Sequence, residues 1–236
     1  MIFFYSIYFH FIKILSTVFF SSAILFVTFI TFFLSKEKKE YLGYTIGRSW
    51  GKTILKITGI KIKTNINFSP EEGKNYIFAG NHQSSFDIYL LYSMIPIQFY
   101  WLAKKSLFKI PFLGWAMKFQ GHIGVERENS SKAAESLKKA INRIKSGISI
   151  AIFPEGGRSQ DGTLQPFKKG AFALARLSQT DIVPVLIKNA CLIAPKGKFL
   201  IHRKHTVLLN FYPAISGKDK EAEKKLRFIF EEGLKN

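Results

Sequence analysis

The sequence contains a single cysteine, Cys191, so no disulfide can form within the chain, and its histidines form no Cys/His cluster with the spacing of a zinc site. Neither a covalent staple nor a metal is expected, and a reducing compartment such as the cytoplasm suits this composition. His202 and His205 stand three apart, but without Cys or carboxylate neighbours they read as polar surface positions. Acidic residues are scarce: 16 Asp and Glu stand against 35 Lys and Arg, a formal charge of +19. That excess must face something anionic, whether nucleic acid, an anionic lipid surface, or a phosphorylated or acidic partner. Internal repeats and low-complexity linkers are absent too, so 236 residues suit one sizeable core with an anchor in front of it.

Charge is missing altogether from Ile14 to Leu34, 21 consecutive uncharged residues, close to the roughly 20 that a helix needs to cross a hydrocarbon core of about 30 Å. The stretch shows no polar face, which argues against a buried core helix. It also lacks the basic start and small-residue cleavage site of a signal peptide. Residues 1–35 are therefore expected to form a retained membrane anchor, as one spanning helix or as two interfacial helices broken near Ser16, Ser21 and Ser22. Residues 36–60 carry six Lys or Arg against two acids, so the positive-inside rule places them on the cytoplasmic side, here the cytoplasmic face of the inner membrane. Tyr41, Tyr44 and Trp50, interleaved with Arg48, Lys52 and Lys56, suit a basic amphipathic helix at the headgroup level or one packed on the domain.

From residue 61 to 236 the pattern alternates between strand and helix. Strand-like runs occur at "KIKTNINF", "NYIFAG", "FYWLA", "HIGVE", "ISIAIF", "IVPVLIK" and "HTVLLNFY". Helix-like segments lie between them, one of which, "SSKAAESLKKAINRIKSG", has Ser130 or Ser131 to cap it, a Glu135 to Lys139 pair and Gly147 to end it. This predicts an α/β fold with a single largely parallel or mixed sheet of about seven strands flanked by helices. Its crevice should lie beyond the carboxyl ends of the strands.

Three polar clusters each follow an apolar strand: "NHQSSFD", "ER" and "PEGGRS". In the first, Ser84 or Ser85 can cap a helix beginning near Phe86, placing Asp87 in its first turn and within reach of His82. An Asp on one ring nitrogen fixes the tautomer and leaves the other to take a proton from a hydroxyl, although a His–Asp pair alone is more often a structural hydrogen bond. In the third, Gly156 and Gly157 let the backbone approach a ligand, Glu155 can accept hydrogen bonds from a polyol, and Arg158 can grip a phosphate. Arg127, and Lys105 beside Lys104, are further anion-binding candidates because their strand ends point to the same crevice.

These blocks resemble, in the same order, those of the membrane-associated glycerolipid acyltransferases, and specifically bacterial 1-acyl-sn-glycerol-3-phosphate acyltransferases. The resemblance covers about residues 75–190. It rests on "NHQSSFD", on "KKSLFKIPFLGWAMKFQGHIGVER" with Lys105, Pro111, Gly114, Gly121 and Arg127, on "FPEGGRSQDGTLQPFKKGA", and on "IVPVLI" with Pro184. It implies the glycerolipid acyltransferase fold, with His82 as base and Asp87 as its orienting carboxylate. It further implies that Arg127, Glu155, Gly156 and Arg158 hold the acceptor, and that Lys105 assists near the phosphate or the developing oxyanion. The reaction implied moves an acyl chain from acyl-carrier protein or coenzyme A, as co-substrate, to lysophosphatidic acid, forming phosphatidic acid in phospholipid biosynthesis. Membrane lipids are then the expected partners, nucleic acid is not, and no further cofactor is called for. Gly157 stands where the family usually has Thr or Ser, and Gly124 where a bulkier residue is usual. Both are expected to widen the acceptor pocket, which keeps glycerol 3-phosphate, another lysophospholipid or a lyso-aminolipid as alternative acceptors. A non-catalytic polyanion-binding membrane module is the reading outside catalysis.

Overall fold

The computed structural model describes residues 1–126 and 130–235; Arg127 and the capping side chain of Ser130 lie outside the described residues. Seven strands form one sheet: β1 (Lys61–Ile66), β2 (Ile77–Gly80), β3 (Phe99–Lys104), β4 (Ile123–Val125), β5 (Ser149–Ile152), β6 (Ile182–Lys188) and β7 (Thr206–Phe211). Their spatial order is β1-β7-β6-β2-β5-β3-β4. Only the β6–β7 pairing is antiparallel, so β2, β3, β4, β5 and β6 all run the same way. Every position of β2 and β5 is buried, because helices cover both faces. That is why these strands read as continuous apolar runs rather than alternating ones.

The helices are α1 (Ile2–Ile30), α2 (Lys36–Thr58), α3 (Phe86–Met94), α4 (Leu113–Phe119), α5 (Ser130–Lys145), α6 (Lys169–Ser178), α7 (Ala190–Ile193) and α8 (Ala222–Lys235). Alternate residues of one strand feed opposite layers. Phe78 joins Ile54, Leu90 and Val183 on one face of the sheet, while Ile77 and Ala79 join Ala140, Leu174 and Leu226 on the other. The expected Glu135 to Lys139 pair forms at 2.7 Å on α5, and Gly147 takes a positive φ of 88° just beyond the helix end, where a side chain would be strained.

α1 is one continuous helix with no break at Ser16, Ser21 or Ser22, and it is long and apolar enough to cross a membrane. The expectation that this stretch has no polar face is overturned. Ser6, His10, Lys13, Thr17 and Ser21 recur at spacings of four, three, four and four, which places them on one side of the helix. That side faces the domain: Ser6 Oγ accepts the Ile201 N–H at 2.9 Å, His10 Nε2 bonds the Phe199 carbonyl at 2.8 Å, and Tyr5 Oη donates to the Thr58 carbonyl at 2.7 Å. The outward side carries Phe4, Phe11, Leu15, Phe19 and Phe26, all exposed. An apolar outer surface, with the polar stripe kept to the inner side among Phe9 and Ile24, is the arrangement of a helix bathed by lipid, and it suggests membrane association.

α2 is part of the fold rather than a free interfacial helix. Gly47 and Gly51 lie one turn apart, and a Cβ on Gly51 would stand 3.0 Å from the Tyr89 carbonyl oxygen, so these glycines let α2 sit tightly on α3, while Gly43 makes room for Gln120. Tyr44 is buried and donates to the Ile97 carbonyl at 2.8 Å. Trp50 packs edge-on against Tyr89 at 5.0 Å. Of the aromatic residues expected at the headgroup level, Tyr41 is the one left exposed. Glu40, buried near the start of α2, bonds Tyr100 of β3 and Arg143 of α5, and so ties the helix to the sheet.

Candidate active site

β2 ends in the middle of the sheet, and the Asn81 side chain continues its ladder. Its amide donates to the Ile187 carbonyl at 2.8 Å while its carbonyl oxygen accepts the Ile187 N–H at 2.7 Å. The next residue, His82, is thereby set at the carboxyl edge of the sheet. Its Nδ1 lies 2.8 Å from Oδ2 of Asp87, which is fully buried in the first turn of α3. The same Oδ2 accepts the N–H groups of Gln83 and Ser84, both at 2.7 Å. A carboxylate oxygen holding three donors has no proton to give. Nδ1 therefore carries the hydrogen, and Nε2 is left as the acceptor. Ser85 at the helix start makes no capping bond; Ser84 Oγ accepts the Phe86 N–H instead, at 3.3 Å.

The loop after β5 is tied to His82 from behind. Glu155 Oε1 accepts the His82 N–H at 2.6 Å, its Oε2 accepts the Gln165 N–H at 2.8 Å, and the His82 carbonyl accepts the Ser159 N–H at 2.8 Å. The last of these bonds joins two strand-end loops through main chain alone. Glu155 is buried, and burial pushes its carboxyl up to about 7 against the pull of the two N–H donors. The expectation that Glu155 meets the acceptor directly is corrected here, since both its oxygens face backbone N–H groups and the side chain stands outside the cavity wall. Gly156 has a positive φ of 74° that turns the chain, and Gly157 follows it into the wall.

His82 opens onto a cavity of about 740 Å³. Its imidazole lies flat on Phe153, 3.9 Å between centroids and 9° between planes, and Phe153 in turn stacks on Trp101 at 5.5 Å. Most of the wall is apolar, from Ile14, Val18 and Ile24 of α1 across Ile88 and Tyr89 to Leu113 and Met117 of α4. At the inner side His122 is buried and burial pushes its imidazole down to about 3, so it is neutral. Its Nδ1 accepts the main-chain N–H of Trp101, and Nε2–H is left to donate to Tyr92 Oη at 2.6 Å. Four cations, Lys13, Lys104, Arg158 and Lys196, also line the cavity, with no carboxylate among the described lining residues.

Residues 59–188 match the family described as Acyltransferase. The chain belongs to the acyltransferase family. It is 31% identical over 186 residues to the 1-acyl-sn-glycerol-3-phosphate acyltransferase of Escherichia coli, covering 76% of this chain and 74% of that one. It is 35% identical over 184 residues to the 1-acyl-sn-glycerol-3-phosphate acyltransferase of Limnanthes douglasii, covering 78% of this chain and 64% of that one. The chain thus spans less than two thirds of the plant relative's length. Among solved structures, the LPA acyltransferase PlsC from Thermotoga maritima superposes with a TM-score of 0.80 at 27% identity, covering 98% of this chain and 92% of that one.

The fold brings His82, Asp87, Gly157 and Arg158 together, and departs from expectation at Lys105 and Gly124 as well as at Glu155. Lys105 begins a short 3₁₀ turn (Lys105–Lys109), pairs with Glu126 at 3.7 Å and stands outside the cavity wall, whereas its neighbour Lys104 is in it. Gly124 does not widen the pocket. A Cβ there would meet the Phe108 ring at 3.2 Å, so the missing side chain lets the turn close on β4. Lys13 and Lys196 are cavity cations that the motifs do not reveal. For Lys13 a signal was present, as the one charged residue among the first 35.

Proposed function

We propose that this protein transfers an acyl chain from an acyl thioester to the sn-2 hydroxyl of lysophosphatidic acid, forming phosphatidic acid. The observation that carries the reading is the His82–Asp87 pair with its free Nε2 facing a cavity that is apolar along its length and cationic among its charged groups. Such a cavity suits an amphiphile with an acyl chain and a phosphate. The names of the Escherichia coli, Limnanthes and Thermotoga relatives support the same acceptor.

In the reaction, the acceptor hydroxyl attacks the thioester carbonyl as its proton passes to His82 Nε2. Asp87 stabilises the imidazolium, a contribution worth roughly 10²- to 10⁴-fold for general-base help of this type. The tetrahedral oxyanion then collapses, the C–S bond breaks, and the imidazolium returns the proton to the departing sulfur. Arg158 holds the phosphate, and Asn81, Glu155 and Ser159 hold the main chain of His82 and its loop in register. His82 and Asp87 are thus the catalytic pair in this reading, and Gly156 and Glu155 shape the loop. Lys105 and Arg127 keep the assisting and phosphate-binding roles that the family resemblance implies.

The donor is the thioester of acyl-carrier protein or coenzyme A. The excess of +19 favours an acidic carrier protein through steering that weakens with salt. The six cations between residues 36 and 60 favour the cytoplasmic face of the membrane. Gly157 favours a second reading on the acceptor alone: a Cβ there would meet nothing within 4 Å, leaving room for a headgroup larger than a phosphate.

The test is thiol release from an acyl thioester, with and without lysophosphatidic acid, for the intact protein and for His82→Ala in the same detergent. Acceptor-dependent release by the intact protein and none by a folded variant is expected. Equal release by both would remove His82 from the mechanism.

A further inference from the structure

α1 contributes more than attachment, and the reason is Lys13. A lysine in the middle of an apolar helix is costly unless its ammonium is given a task. Lys13 does not reach the lipid-facing surface. It turns inward, where its ammonium donates to His10 Nδ1 at 3.2 Å. His10 is itself fixed, since Nε2 bonds the Phe199 carbonyl at 2.8 Å and the ring lies on Phe199 at 4.7 Å between centroids. A carbonyl can only accept, so Nε2 carries the hydrogen and Nδ1 presents a lone pair to Lys13.

The same cavity wall holds Arg158 and Lys196, and Lys196 Nζ donates to the Arg158 carbonyl at 2.9 Å. Three cations from distant parts of the chain thus line one cavity, and none of them has an acidic partner among the described residues. Like charges gathered in a partly buried site repel one another unless an anion joins them.

We infer that Lys13 of α1, together with Lys196, completes the phosphate site around Arg158, so that the membrane-facing helix forms part of the acceptor site. The inference rests on the reading of the acceptor as a phosphomonoester. A dianion takes charge-assisted hydrogen bonds from several donors at once, and Lys13 would reach it from α1 while Arg158 and Lys196 would reach it from the loops that follow β5 and α7.

The experiment compares the intact protein with Lys13→Met and Lys13→Arg in detergent. Methionine matches the length of the lysine stem and suits an apolar helix, so the fold is retained. For Lys13→Met the KM for lysophosphatidic acid should rise about 10- to 100-fold, the range of one charge-assisted hydrogen bond. The KM for the thioester should stay near its original value, and Lys13→Arg should recover most of the loss. An unchanged KM for lysophosphatidic acid, or equal losses for acceptor and donor, would overturn the assignment. A second measurement needs no turnover: glycerol 3-phosphate should raise the Tm of the intact protein more than that of Lys13→Met. Equal rises refute the phosphate site. Unequal rises in a protein that does not acylate lysophosphatidic acid would keep the phosphate site and sink the acceptor reading.

Discussion

His82 and Phe153 lie face to face, with 3.9 Å between ring centroids and 9° between planes. Asp87 fixes the imidazole in its own plane through Nδ1, and Phe153 fixes the tilt of that plane, so Nε2 has one direction left to point.

The two restraints are separable. Asp87→Asn should lower kcat by roughly 10²- to 10⁴-fold with little change in KM, because the tautomer and the imidazolium both lose support. Phe153→Leu keeps the volume apolar and loses the stack, about 0.5–1.5 kcal/mol, so kcat should fall by no more than about tenfold. Steady-state kinetics on both variants checks the order; a larger loss for Phe153→Leu would reverse the assignment.

Glu155 gives a pH signature. Its folded carboxyl titrates at about 7 against an ordinary 4.5, so the folded state binds the proton more tightly than the unfolded one. Stability from this group is full below about 4.5 and is lost as pH rises through about 7. Denaturant unfolding of the intact protein and of Glu155→Gln at pH 5 and pH 8 should therefore show a larger loss on going to pH 8 for the intact protein. Parallel losses would mean that Glu155 does not titrate in this range. The glutamine also leaves one of the two N–H groups facing an amide, so the variant should be less active at either pH.

Adjacent glycines should respond differently. Gly156 has a positive φ, and a Cβ there would stand 3.2 Å from Cγ of Lys168. Gly156→Ala should cost about 1–2 kcal/mol. A Cβ on Gly157 meets nothing within 4 Å and the residue has no positive φ, so Gly157→Ala should leave the Tm almost unchanged. Thermal unfolding of the pair decides it, and Gly157→Ser extends the test by narrowing acceptor choice toward small headgroups.

The outward face of α1 should carry the membrane contact. Phe19 is exposed there, and Phe19→Glu places a charge where lipid would lie, at a cost of about 2–3 kcal/mol. Flotation with vesicles should show the variant shifted toward the soluble fraction while its Tm in detergent holds. Retention on vesicles equal to the intact protein would move the contact elsewhere, and the exposed Phe112, Trp115 and Phe119 around α4 are the next surface to test.

Local and periodic features were legible along the chain without its fold. Seven strands follow from short apolar runs, α5 and its Glu135 to Lys139 pair from helical spacing, and the His82–Asp87 contact from a strand end followed at once by a helix start. Each of these depends on residues close together in the chain. Distance along the chain conceals the rest, and folding alone settled it. Glu155 turns from acceptor ligand to main-chain clamp because the His82 and Gln165 N–H groups reach it first. Gly124 serves the Phe108 contact rather than the pocket. Trp50 finds Tyr89, 39 residues away, which no spacing along the chain announces. Lys13, Arg158 and Lys196 line one cavity although they lie far apart along the chain. The polar stripe of α1 was present in the spacing of Ser6, His10, Lys13, Thr17 and Ser21, but mean apolarity masks it. What gives the stripe its meaning is the domain that it faces, and no single segment contains that domain.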